Sequence, residues 1–406
     1  MMTAATRWIP SLIVAVLAVL AIWAEFPRIA HEGGLWDFGS FVASARAAKE
    51  GLNPYGIYEL TLHVELPGFE SWNPNLNPPI SALLFRVFDV TDPHMAYRIW
   101  RWISIAFYAA TVFLLARRFG GLQAVIFALW AFALAGFWDT LFLGQIYLPL
   151  VFAGVAAWLL LERGQDLAAG ILIGIIVAMK PNFLVWPALL FLSGYYRPVL
   201  AAGLTAGVIS AIPLLVYGPE IYRQWFELVA SDRERAFFLT NGSFAGLSAR
   251  AGVPLLGLIL SLALLAGLAL WAFRLRPNVL AASALALVAA LLASPLGWIH
   301  YTLFLLPVFL VHWHRPAMRI VALLLIIPVP FVIDQFTKAT WIQLTIGSVY
   351  GWALVLCLAM LMMDEWQRLK EGGFGRQARE ALLKSPIPAA LPERALRQPP
   401  LDDVRS

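Results

Sequence analysis

Hydrophobic runs of about 15 to 22 residues recur along this chain from its start to about residue 363. In lipid, a run of that length must satisfy its own backbone hydrogen bonds, and helix is the conformation that does so. The short alternating strands and regular turns of a membrane barrel are missing, and stretches rich in Leu and Ala favour helix over strand. The pattern predicts twelve crossings, near residues 8–24, 95–116, 121–138, 145–161, 166–180, 182–196, 198–217, 253–273, 278–293, 296–312, 318–334 and 342–363. The first, about Ile9 to Ala24, lacks a clean small-x-small cleavage site and is expected to stay as an anchor. Pro79 to Val90 is apolar but too short to span, so it is expected as a re-entrant or half-buried piece. The expected fold is therefore an all-α polytopic bundle of about twelve transmembrane helices.

Charge orients the bundle. If Arg7 is cytoplasmic, alternation puts Arg117, Arg118, Arg163, Arg197, Arg274, Arg276, Arg315, Arg319, Arg368 and Lys370 on the same side, as the positive-inside rule requires. The opposite frame fails at nearly every loop. Two long segments, about 25–94 and 218–252, then fall outside. Between Glu25 and Pro79 the seven acids Glu25, Glu32, Asp37, Glu50, Glu59, Glu65 and Glu70 outnumber Arg28, Arg46 and Lys49, which suits a translocated loop. Residues 1–363 are expected to form the membrane domain, and 364–406, charged and rich in proline, a mostly disordered cytoplasmic tail with one short helix around 376–384.

Composition agrees with lipid as the main solvent: 61% of residues are hydrophobic and 13% charged, against about half and a quarter in soluble domains. The net charge of +5 does not point to nucleic acid, because the basic residues stand singly or in pairs at the ends of apolar runs. The single cysteine, Cys357, excludes an internal disulfide and a cysteine metal site.

Candidate chemistry gathers on the outer side. After Trp36-Asp37-Phe38-Gly39, the residues Phe38, Phe41, Val42, Ala45 and Ala48 recur at helical spacing opposite Ser40, Ser44, Arg46 and Lys49, which predicts an amphipathic helix on the membrane surface. Asp37 either caps that helix or serves as a general base held at the lipid boundary. Lys180, before Pro181 and between two short apolar runs, is either a snorkelling lysine or a clamp for a lipid-linked phosphate. Arg98 and Arg101 run against the positive-inside trend and either meet a lipid phosphate too or mark a local error in the frame. His300, beside Trp298 and Tyr301, is either structural or in contact with phosphate or sugar, and Gln145, Asn241 and Ser243 add uncharged polar groups on the same face. Asn241 also heads a formal glycosylation sequon.

From about Trp36 to Tyr301 the chain resembles glycosyltransferase family 87, the polyprenyl-phosphate-mannose-dependent α-1,2-mannosyltransferases of the GT-C superfamily. The resemblance rests on the aspartate ahead of the surface helix, Gly51-Leu52-Asn53-Pro54-Tyr55, Asn77-Pro78-Pro79, Gly144-Gln145, Lys180-Pro181, Asn241 with Ser243 and Phe244, and Ser294-Pro295 through His300-Tyr301, in that order. It implies a GT-C helical bundle and inverting transfer of a sugar, mannose in the family, from a polyprenyl-phosphate donor to a glycolipid or glycan acceptor. Asp37 would be the base, with Lys180 and His300 near the donor phosphate. The residues' own positions add Arg98 and Arg101 as further candidates for the donor phosphate and Gln145, Asn241, Ser243, Trp298 and Tyr301 as candidates for substrate contact. The setting would be the extracytoplasmic face of the inner membrane. The leaving group is already lipid-borne, so the reading needs no nucleotide fold, cofactor or metal. The family usually carries a tyrosine where this chain has Asn77, so its pattern alone does not name the acceptor or the donor sugar. The competing reading from another class is a transporter or flippase, which would also be polytopic but would carry charges inside the bundle. Within the enzymes, a lipid-A aminosugar transferase or an oligosaccharide ligase of the same superfamily competes.

Overall fold

The computed structural model describes residues 4–30, 34–66, 69–231 and 234–384. The chain opens with α1 (Ala4–Ala30) and α2 (Trp36–Lys49), then a hairpin of β1 (Leu62–Leu66) and β2 (Phe69–Asn73), then the short α3 (Ile80–Phe85). The membrane helices follow: α4 (Pro93–Ala116), α5 (Gly121–Ala133), α6 (Ala135–Leu143), α7 (Tyr147–Glu162), α8 (Asp166–Met179), α9 (Val185–Leu192) and α10 (Tyr196–Tyr217). After α11 (Glu220–Ser231) and α12 (Phe244–Arg250) come α13 (Pro254–Leu275), α14 (Val279–Leu292), a 3-10 stretch Ile299–Leu305, α15 (Leu306–His312), α16 (Pro316–Leu324), α17 (Val329–Ile333), α18 (Thr340–Leu344) and α19 (Val349–Lys384). The chain divides into two compact units, Met1–Leu361 and Met362–Ser406.

A helix or helix pair stands at each of the twelve apolar runs, but they differ in kind. Five are long and apolar enough to cross a bilayer, Leu12–Ala30, Pro93–Ala116, Tyr196–Tyr217, Pro254–Leu275 and Thr340–Lys370, and there are up to seven if the bent pairs α5–α6 and α16–α17 each count as one span. The other five, Tyr147–Glu162, Asp166–Met179, Pro181–Leu192, Val279–Leu292 and Ile299–His312, are shorter. Exposure separates the two kinds. Leu200, Leu204 and Leu215 on α10 are 71–83% exposed, a state that suits a lipid-facing surface. By contrast, α14 is buried on every side from Ala281 to Leu292, as expected of a helix that is apolar all round. Trp186 on α9 donates to Ser283 on α14 (2.8 Å), satisfying a buried indole and a buried hydroxyl together.

Close helix contact is bought with small residues: a Cβ on Gly170 or Gly174 of α8 would lie 2.3 Å from the Pro198 carbonyl or 2.5 Å from that of Ala202, so this pair brings the α10 backbone against α8.

The helical polytopic class fits, with one small addition: β1 and β2 pair antiparallel with Leu62 opposite Asn73 and Leu66 opposite Phe69. Other details differ from the expectation. The helix expected on the membrane surface does form as α2, but both of its faces are buried along most of its length, with only Arg46 and Lys49 near its end reaching the surface. Its polar side is covered: Ser40 Oγ donates to Asn73 O (2.7 Å) and accepts from Leu62 N (2.9 Å), and Ser44 Oγ accepts from Asn75 (3.1 Å). Glu25 and Arg28, counted above as loop charges, lie on the last turns of α1. The Pro79–Val90 piece is α3 plus one 3-10 turn, which packs on α2. Helix α19 runs to Lys384, so the stretch 376–384 ends a longer helix, and the expected disorder of 385–406 lies outside the described residues.

Candidate active site

The first turn of α2, the inner face of the hairpin, the turn between α6 and α7, the connection after α8 and the 3-10 stretch after Trp298 enclose a cavity of about 670 Å³. That size is within the usual range for small-ligand sites. Strand alternation sets the hairpin's part. Leu62, Val64, Leu66, Phe69, Ser71 and Asn73 point into the cavity, while His63, Glu65, Glu70 and Trp72 face away. On that outer face the His63 ring meets Glu65 (3.0 Å) and Glu70 (3.2 Å) and stacks on Trp72. This is the one grouping of metal-ligand type among the described residues, and it lies apart from the cavity.

Asp37 lines the cavity and is 5% exposed. Its side chain caps nothing. The residue before α2 is Leu35, and no side chain bonds the free N–H groups there. Instead, the Asp37 carboxylate accepts from the Asn73 and Gln145 amides. Burial raises its pKa from the ordinary 3.8 to about 6, although the Gln145 bond, the Arg235 charge and the Asn73 bond pull the other way. Trp36, just before it, takes a left-handed φ of 48°, a costly conformation for a bulky residue, and its ring packs 4.2 Å from Phe142.

Lys180 ends α8, is 9% exposed and lines the same cavity. Its ammonium makes no ion pair with any described residue and rests on the rings of Tyr147 (4.3 Å) and Tyr301 (5.8 Å). Burial lowers its pKa to about 7, opposed by the charge of Asp37.

A buried chain of polar groups forms another wall. Arg28 pairs with Glu25 (2.7 Å) and with Asp139 (3.0 Å), Asp139 meets His300 Nδ1 (3.4 Å), and the Glu25 carboxylate accepts from Val329 N (2.6 Å). His300 packs on Tyr147 at 4.2 Å, and its Nε2 has no hydrogen-bond partner among the described residues.

The expected site residues divide accordingly. Asp37, Gln145, Lys180, Trp298, His300 and Tyr301 come together in the cavity. Four do not. Arg98 is exposed, and Arg101 reaches the Ile29 carbonyl (2.8 Å) and lies over the Tyr97 ring, away from the cavity. Asn241 is fully buried and bonds Gly297 N (2.8 Å), Pro295 O (3.1 Å) and Ala236 O (3.0 Å), pinning the turn that presents Trp298 and His300. Ser243 caps α12 through Gly246 N (3.1 Å). Both therefore hold the frame of the site, as amides and hydroxyls in turns commonly do. Sequence reasoning did not find Asp139, Arg28, Asn73 or Arg235, all of which line the cavity. A lone carboxylate among apolar residues, in the connection between the expected crossings 121–138 and 145–161, was the available signal for Asp139.

A helical membrane bundle with one β hairpin, enclosing a buried carboxylate and a buried ammonium in one cavity, defines a polytopic membrane protein with the equipment of an enzyme. A family model for glycosyltransferase family 87 matches residues 75–295, more than half of the chain, and the protein belongs to that family. It is thus a membrane glycosyltransferase, which displaces the transporter reading. The matched region holds Asn77, Asp139, Gln145 and Lys180 but stops short of Asp37 and His300 at either end. Neither the curated proteins nor the solved structures yield a match.

Proposed function

We propose that this glycosyltransferase transfers a sugar, mannose by its family resemblance, from a polyprenyl-phosphate donor to a glycolipid or glycan acceptor. In this reading the chain is a GT-C bundle of about twelve crossings in the inner membrane, with its cavity on the extracytoplasmic side. The acceptor hydroxyl attacks the anomeric carbon while the bond from that carbon to the phosphate oxygen breaks, with inversion. Polyprenyl phosphate leaves with the bonding electrons, and the hydroxyl proton passes to Asp37. Lys180 stabilises the charge that grows on the leaving phosphate.

One observation carries the reading: among the described residues, the same cavity holds a carboxylate bound only by amides and an ammonium held only by aromatic rings. Neither is spent on a structural ion pair, so a base and a phosphate contact are both free for a ligand. Purified protein incubated with acceptor glycolipid and a panel of polyprenyl-phosphate sugars should release polyprenyl phosphate with at least one sugar. Release from none of them, with the protein folded, overturns the proposal.

A further inference from the structure

Three buried polar atoms on cavity-lining residues have no hydrogen-bond partner among the described residues: Asn77 Oδ1, Gln145 Oε1 and His300 Nε2. Buried polar atoms are rarely left unpaired, so each calls for a ligand or water. Their neighbours settle what kind of atom each one is.

At Asn77 the settling group is a backbone N–H, which can only donate. Asn77 N donates to the Asn75 side chain (3.0 Å), which makes that atom the Asn75 oxygen. The same oxygen accepts from Asn77 Nδ2 (2.9 Å), which leaves Asn77 Oδ1 as the free end, an acceptor. The Asn75 amide nitrogen is held in turn by Ser44 Oγ (3.1 Å) and Ser81 Oγ (2.9 Å), and Ser81 gives its own proton to Pro78 O (2.8 Å). Gln145 follows the same logic. It turns its nitrogen to the Asp37 carboxylate, and its oxygen is left over. For His300, the Asp139 carboxylate draws the ring proton to Nδ1, so Nε2 of the neutral ring carries a lone pair.

We propose that Asn77, Gln145 and His300 form an acceptor-only subsite that receives the hydroxyl groups of a sugar ring. Three acceptors repel a phosphate, whose oxygens also only accept, and suit a ligand with several O–H donors. The cavity is thereby divided. Lys180 serves the phosphate, and His300, expected from sequence beside the phosphate, serves sugar hydroxyls instead. This rests on the glycosyltransferase reading and adds which wall takes the sugar and with which polarity. The hydroxyls can come from the donor sugar or from a saccharide acceptor, and the test separates the two.

Binding to the full-length protein in detergent is measured by titration calorimetry with three probes: polyprenyl phosphate, polyprenyl-phosphate mannose and the mannose-terminated acceptor glycolipid. Asn77→Ala should weaken one of the two sugar-bearing probes by about tenfold, the worth of one hydrogen bond, and leave polyprenyl phosphate unchanged. Which probe responds tells whether the donor or the acceptor sugar lies there. Equal weakening of all three probes, or of none, overturns the subsite.

Wild-type protein provides a second test that no folding defect can blur. Replacing sugar hydroxyls one at a time by hydrogen or by fluorine should weaken binding equally at the positions read by these residues, because fluorine cannot donate. Fluoro analogues that bind like the parent sugar at every position overturn the assignment. If wild-type protein binds neither polyprenyl probe but binds the acceptor glycolipid with Asn77 dependence, the lipid-donor proposal fails and the subsite stands. If it binds no sugar-bearing probe at all, the subsite falls.

Discussion

Asp37 and Lys180 share one cavity, and their opposite shifts predict a pH profile. Asp37 works as a base only when ionised, so activity should rise as pH climbs through about 6. Lys180 attracts phosphate only when protonated, so donor capture should decline as pH climbs through about 7. Together they predict a narrow bell in kcat/KM with its maximum between these values, since kcat/KM reports the free enzyme. Lys180→Arg should lose the alkaline limb, because arginine stays charged, and keep the acid limb. Asp37→Asn should lose the acid limb and slow transfer about a hundredfold or more, while donor binding persists. Near-normal transfer by that variant would return Asp37 to a structural role. For Lys180→Ala, the lost charge-assisted contact should weaken polyprenyl-phosphate binding by about 1.5–3 kcal/mol, and unchanged binding would place the phosphate elsewhere.

Among the elements, two joints set the site. The first ties α1 to α6 through the Arg28–Asp139 pair, whose side chains are 16% and 6% exposed. Asp139→Asn removes one of the two carboxylates holding a buried guanidinium and should cost about 1.5–3 kcal/mol, read as a lower unfolding temperature in detergent. Arg118→Ala breaks a pair with Glu162 in which both side chains are about a third exposed, and should cost no more than about 1 kcal/mol. Equal melting of the two variants would show that the buried chain is not a structural link. The second joint is Gly144, which ends α6 with a φ of +68°. A Cβ there would lie 2.6 Å from Phe38 Cβ and 2.8 Å from the Tyr97 ring. Gly144→Ala should therefore push α2 away from Gln145, costing about 1–3 kcal/mol in stability. Because Gln145 holds Asp37, transfer should also fall more than tenfold. Wild-type activity in this variant would mean that the α2–α6 contact does not position the base.

At the scale of the whole molecule, the arginines at the ends of the apolar runs predict an orientation. Reporters fused after Arg118, Arg197 or Arg276 should be cytoplasmic and one near Glu65 outside; a second outside marker expected near Asp232 lies beyond the described residues. Outside labelling of the Arg197 connection would reverse the frame and move Lys180 to the other face. Five helices long enough to span and five shorter apolar ones also divide the labour: exposed leucines on α10 suit lipid, whereas the shorter α14 is enclosed by protein. Hydropathy reads both kinds alike because it registers only that a segment is apolar, and a protein interior is as apolar as lipid, so it does not tell which helices face lipid.

The sequence by itself determined that this is a helical membrane protein, where its apolar segments lie, and that Asp37, Gln145, Lys180 and His300 are its unusual polar residues. These are local properties: run length, composition and a charge where lipid disfavours one. Only the tertiary structure decided the rest, because it depends on contacts across long stretches of chain. The hairpin face that lines the cavity appears when Leu62 pairs with Asn73, and the polar side of α2 is read as solvent-facing until Asn73 and Asn75 cover it. Asp139 stood in the short connection between the expected crossings 121–138 and 145–161 with no role assigned until folding set it between Arg28, 111 positions away, and His300, 161 positions away. Conversely, Asn241 looked like a substrate contact until its amide was found bonded to Gly297 and Pro295. A hydrogen-bonding side chain is chemically the same in sequence whether it faces a ligand or staples a turn, and only its partners in space decide which.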